Sequence, residues 1–101
     1  MRMLLKIKFC PETFNKAVRD GSVGQKLRRI LEDAKPEAVY FTEQDGRRGA
    51  VLLVEVGSPS DVPRFAEPFF LKFNADCRFR IVMSPDDLAK AGLAELGKRW
   101  A

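Results

Sequence analysis

Two β-rich runs around Asp45-Gly46 constrain this chain more than any other feature. Val39-Tyr40-Phe41-Thr42 lies on one side and Ala50-Val51-Leu52-Leu53-Val54-Glu55-Val56 on the other. Asp-Gly suits a two-residue hairpin turn, because both central positions of that turn need positive φ. With the turn there, Gln44 faces Arg47, Glu43 faces Arg48, Phe41 faces Ala50 and Val39 faces Leu52 on one side of the sheet. Tyr40 faces Val51 and Ala38 faces Leu53 on the other. Apolar side chains meet on both faces, so both faces need cover.

The flanking segments supply that cover and more strand. Met3, Leu5, Ile7 and Phe9 alternate with Leu4, Lys6 and Lys8, the period of a strand with one buried side. Pro11 fits the first turn of a helix carrying Phe14, Ala17 and Val18. Asp20-Gly21-Ser22-Val23-Gly24 predicts a break before helical spacing resumes at Val23, Leu27, Ile30, Leu31 and Ala34, and Lys35-Pro36 stops it. Ser58-Pro59-Ser60-Asp61 predicts a capped helix with Val62, Phe65, Ala66, Phe69 and Phe73 inward. Pro68 inside it predicts a kink or two short pieces. Cys77 to Met83 alternates again, and Ser84-Pro85-Asp86-Asp87 opens one C-terminal helix running through Leu88, Ala91, Leu93 and Leu96 toward Trp100.

The order strand, helix, strand, strand, helix, strand, plus a C-terminal helix, is the ferredoxin-like βαββαβ arrangement, of α+β class. Right-handed crossovers then predict a four-stranded antiparallel sheet in the order 4-1-3-2 with both main helices on one face. At 101 residues the whole chain, 1–101, reads as a single domain. The helices should cover Leu5, Ile7, Phe9, Val39, Phe41, Leu52, Val54, Phe79 and Ile81.

Composition removes several classes of chemistry. With no histidine the chain lacks the usual base near neutral pH, the usual haem ligand and the commonest metal ligand, so neither metal nor cofactor is expected. Cys10 and Cys77 form no C-x-x-C pair, and strand alternation puts them on opposite faces, so free thiols are expected. The N-terminal apolar residues are interrupted by lysines, which is not the run of a secretory signal, and no stretch is long enough to span a bilayer. A cytoplasmic location and no membrane partner follow as expectations. The net charge of +4 is an ordinary solubility charge, with its basic excess in the N-terminal third.

The sheet face away from the helices divides in two. Leu4, Tyr40, Val51, Leu53 and Val82 form an apolar stripe, and such a stripe on a small monomer usually marks an interface, here with a second copy. Beside it, Lys6, Lys8, Arg78 and Arg80 cluster around Glu55 as a candidate anion site or a solvated, ion-paired face. An RNA-reading sheet of this topology stacks bases on rings of its central strands. Those rings are missing here, so nucleic acid is not the expected partner.

The strand and helix order, the semi-apolar open face, the helical tail, and the run from Pro36-Glu37-Ala38-Val39-Tyr40 through Gln44-Asp45-Gly46-Arg47 to Ser58-Pro59-Ser60-Asp61 resemble the dimeric α+β barrel superfamily, especially its short bacterial members of unknown function. That resemblance implies a homodimer and a ligand cavity between sheet and helices. The superfamily includes cofactor-independent monooxygenases, lactone isomerases and haem-using enzymes; the absence of histidine separates this chain from the last group. No catalytic residue is assigned. Tyr40, Glu43 and Arg48 are the polar candidates for the cavity, with Glu43 and Arg48 also readable as a cross-strand ion pair. The expected function is binding of a small organic or anionic ligand by a homodimer. The alternatives are cofactor-independent chemistry on a small molecule, of monooxygenase or isomerase type, and an interaction module whose basic face meets an acidic partner or nucleic acid.

Overall fold

In the computed structural model, which describes residues 1–101, strand β1 (Arg2–Lys8) runs down the middle of the sheet. Its even residues face one way and its odd residues the other, and Leu5, Ile7 and the following Phe9 are fully buried. Helix α1 (Pro11–Arg19) begins with proline at its first position, where the missing N–H costs nothing. It stops at Asp20, and Gly21 turns the chain with φ of 79° before helix α2 (Val23–Ala34). Strands β2 (Ala38–Gln44) and β3 (Arg47–Glu55) form the hairpin, with Asp45 and Gly46 both at positive φ.

Every cross-strand pair expected for that hairpin is present, from Gln44 opposite Arg47 to Ala38 opposite Leu53. Strand β1 pairs antiparallel with β3 and with β4 (Asp76–Ile81), giving the order β2-β3-β1-β4. This is the expected 4-1-3-2 order read from the other edge, and the domain is a ferredoxin-like α+β fold. Ser58 and Asp61 form a reciprocal capping box, but the turn they cap is a 3-10 turn (Pro59–Asp61) rather than the helix itself. Helix α3 (Val62–Phe73) follows as one piece. Pro68 does not divide it, although its missing N–H leaves the Arg64 carbonyl without an intrahelical donor.

The core lies between the sheet and these helices. Phe9 sits among Phe14, Phe69 and Phe73, with ring centroids 4.8, 6.2 and 5.2 Å away. Two residues expected under the helices are not covered: Phe41 is 54% exposed on edge strand β2, and Ile81 is 64% exposed at the end of edge strand β4. Helices cover the two central strands and leave bare the middle of edge strand β2 and the end of edge strand β4.

The C-terminal segment departs from the single helix expected. It comprises α4 (Pro85–Lys90) and α5 (Leu93–Arg99), separated at Gly92, whose φ of 72° is a left-handed conformation that a continuing helix cannot contain. Every residue from Pro85 to Ala101 is exposed. The Cα radius of gyration is 17.1 Å and the longest extent 60 Å, against a radius of about 13 Å for a compact chain of this length. No helix is long and apolar enough to cross a membrane.

Candidate functional site

The residues singled out from sequence divide between the two faces of the sheet. Arg48 and Glu43 lie opposite each other on the helix side of β3 and β2, whereas Tyr40, Lys6, Lys8, Arg78 and Arg80 point to the open side. The expected ion pair between Glu43 and Arg48 does not form. Glu43 instead accepts the Gly46 N–H at 2.8 Å inside the hairpin turn, and Arg48 donates to Asn15 Oδ1 at 2.6 Å.

Arg48 thereby stands at the mouth of a cleft between the sheet and the α1–α2 pair. The cleft is about 370 Å³, and Phe9, Phe14, Val23, Leu27 and Phe41 form its apolar walls, with Thr42, Arg48 and Gly49 completing them. That volume falls within the range of small-ligand sites. The guanidinium carbon of Arg48 sits 4.6 Å from the Phe14 ring centre, a cation–π contact. No carboxylate lies within ion-pair distance of it. A guanidinium oriented by one amide and one ring, beside an apolar slot, can take both oxygens of a ligand carboxylate while the ligand's apolar body fills the slot. Asn15, Phe41 and Thr42 were not legible as site residues. Which α1 residue meets the start of β3 depends on how the helix docks, and no local spacing encodes that.

On the open face, cross-strand rows place Arg78 beside Lys6, Val51 and Tyr40, and Arg80 beside Leu4, Leu53 and Ala38. The interface candidates Leu4, Tyr40, Val51 and Leu53 therefore share one surface, and Val82 continues the β1–β4 pairing through its N–H to the Arg2 carbonyl at 3.3 Å. Tyr40 is 71% exposed there. The basic cluster is not uniform. Lys8 is neutralised by Asp45 at 3.5 Å and Asp76 at 3.8 Å, while Lys6, Arg78 and Arg80 have no acidic partner. Glu55 is engaged elsewhere, by the Met1 amino group at 2.6 Å.

Both cysteines are free. Cys77 faces the helices, its Sγ 3.9 Å from the Ala66 carbonyl, and burial pushes its thiol up to about 12. Cys10, just ahead of α1, is held below the ordinary thiol value by hydrogen bonds from the Thr13 side chain and backbone. The thiolate is the nucleophile, so iodoacetamide at pH 8 should label Cys10 first and leave Cys77 nearly unmodified in the folded protein, as peptide mass mapping would show. Equal labelling would contradict the burial of Cys77. The raised value in the folded state also means that Cys77 favours folding below its ordinary value of 9.0 and that this contribution is lost as pH rises toward about 12.

The chain matches no protein-family model and has no significant match among curated proteins. The structure is a ferredoxin-like α+β domain with an apolar cleft lined by Arg48 on one side of its sheet and a basic, partly apolar face on the other.

Proposed function

We propose that this chain works as a cytoplasmic homodimer, akin to the dimeric α+β barrel superfamily, and that it binds a small organic anion in the cleft between the sheet and the α1–α2 pair. The observation that carries this reading is the unpaired Arg48 guanidinium held against the Phe14 ring at an apolar opening. An aromatic or short aliphatic carboxylate is the matching class. Its charge would meet Arg48 and its hydrocarbon would lie against Phe9, Phe14, Val23, Leu27 and Phe41. The separation of Tyr40 from Glu43 and Arg48 by the thickness of the sheet favours binding over catalysis by those three together.

Calorimetric titration with phenylacetate and its uncharged amide tests the pairing. A charge-assisted hydrogen bond contributes about 1.5–3 kcal/mol, so the carboxylate should bind roughly 10- to 100-fold more tightly than the amide. Arg48→Met should abolish that difference while leaving the far-ultraviolet circular dichroism unchanged. Equal affinity of the wild-type chain for acid and amide, or no binding of either, would remove the reading.

A further inference from the structure

The arm formed by α4 and α5 is a surface without a partner, and so is the open face of the sheet. Leu88, Leu93, Leu96 and Trp100 are all exposed along the arm, Trp100 at 76%. Helices of six and seven residues do not persist alone in water, where about 12–15 residues are needed even for favourable sequences. Packing must hold them, and neither packs extensively on any other element of its own chain. We infer that each arm lies across the open sheet face of a second copy of this chain, with Leu93, Leu96 and Trp100 against Leu4, Val51 and Leu53, in a reciprocal two-fold exchange.

Area and charge both favour this occupant. The chain exposes 7177 Å², whereas a compact monomer of its mass exposes about 5,800 Å². The surplus is roughly 1,400 Å² per chain, or about 2,800 Å² for two, which is the scale of an obligate homodimer interface. The open face carries Lys6, Arg78 and Arg80 without acidic partners. A second sheet laid directly on it would double those cations in one interface. The arm avoids that: Asp86, Asp87 and Glu95 balance its Lys90, Lys98 and Arg99. The link from β4 to α4 also favours reach. Ser84 is extended, with φ of −73° and ψ of 165°, and a reciprocal capping box with Asp87 fixes the start of α4.

This inference rests on the homodimer reading but not on sheet-to-sheet stacking, and one set of variants separates the two. Sedimentation equilibrium is run on the wild-type chain, on Leu53→Asp, on Leu93→Asp/Leu96→Asp, and on an equimolar mixture of the two variants. The wild type should be a dimer and each variant alone a monomer with unchanged circular dichroism. The mixture should recover heterodimers, because the intact arm of one variant meets the intact face of the other. Their dissociation constant should exceed that of the wild type at least tenfold, since only one of two exchanges remains. Trp100 is the only tryptophan, so its emission should shift to the red when the wild-type dimer is diluted. A dimeric arm variant would overturn the arm exchange while leaving the homodimer standing. A monomeric wild type, including one whose Trp100 emission is blue-shifted at every concentration, would overturn both. If the arm variant fails to fold, Trp100→Ala with the same mixture decides the matter.

Discussion

Phe9→Ala will lower the stability of the domain by about 3–5 kcal/mol, a loss at the top of the range for a single core truncation. Phe9 follows the central strand and its ring packs against Phe14 at 4.8 Å, Phe73 at 5.2 Å and Phe69 at 6.2 Å, joining α1 and α3 to the sheet. Its neighbours cannot collapse into the space, because they sit on two helices, α1 and α3, whose backbones are separately hydrogen-bonded. The cavity term therefore adds to the lost transfer energy. A domain of this size has about 5–15 kcal/mol in all, so the variant should lose a fifth or more of it. Urea unfolding followed by far-ultraviolet circular dichroism is the appropriate measurement, because Trp100 lies on the exposed arm and does not report on the core. Phe70→Ala is the control: that ring is 42% exposed on the outer side of α3 and should cost under about 1 kcal/mol. A loss below about 1 kcal/mol for Phe9→Ala would mean that the four-ring cluster does not hold the layers together.

The second large effect is expected at Gly49. A Cβ added there would stand 2.8 Å from the Ile7 carbonyl oxygen, 2.9 Å from Gln44 Cγ and 3.0 Å from Gln44 Nε2. The glutamine side chain can swing away, breaking its 3.0 Å hydrogen bond to Ile7, but the carbonyl belongs to the β1 backbone in the middle of the sheet. Gly49→Ala should therefore cost about 1–3 kcal/mol by overpacking. Adding Gln44→Ala should restore only part of that, since the carbonyl stays in place. Gly24→Ala in α2, where an added Cβ meets nothing within 4 Å, should be neutral or should stabilise the fold by up to about 1 kcal/mol. A neutral Gly49→Ala would show that β1 and β3 can separate at that point without cost.

The fold was legible in the sequence where short-range rules operate. The Asp45-Gly46 turn set the hairpin register residue by residue, because a two-residue loop with both φ values positive leaves no alternative pairing. Strand alternation assigned Leu5, Ile7, Leu52 and Val54 to the buried face, and all four are fully buried. Pro68 was misleading: its helical cost is local, but burial of Phe65, Phe69 and Phe73 on one side of α3 outweighs a single lost hydrogen bond. Apolar spacing alone predicts one C-terminal helix, whereas Gly92 between Ala91 and Leu93 takes a left-handed conformation and stops it. The candidate site was legible only in part. Arg48 reaches Asn15 rather than the cross-strand Glu43, since a register position does not say which of several nearby groups a long guanidinium will reach.

The sequence by itself determined the strands, their order and register, the two faces of the sheet and the Ser84 cap of α4, because turn chemistry and side-chain alternation act within a few residues. Only the tertiary structure decided that α1 brings Asn15 and Phe14 to Arg48 to make a cleft, that the edge strands leave Phe41 and Ile81 bare, and that the C-terminal arm extends away from its own sheet. Those outcomes depend on how whole elements dock, and docking is settled by the sum of many weak contacts between residues far apart in the chain.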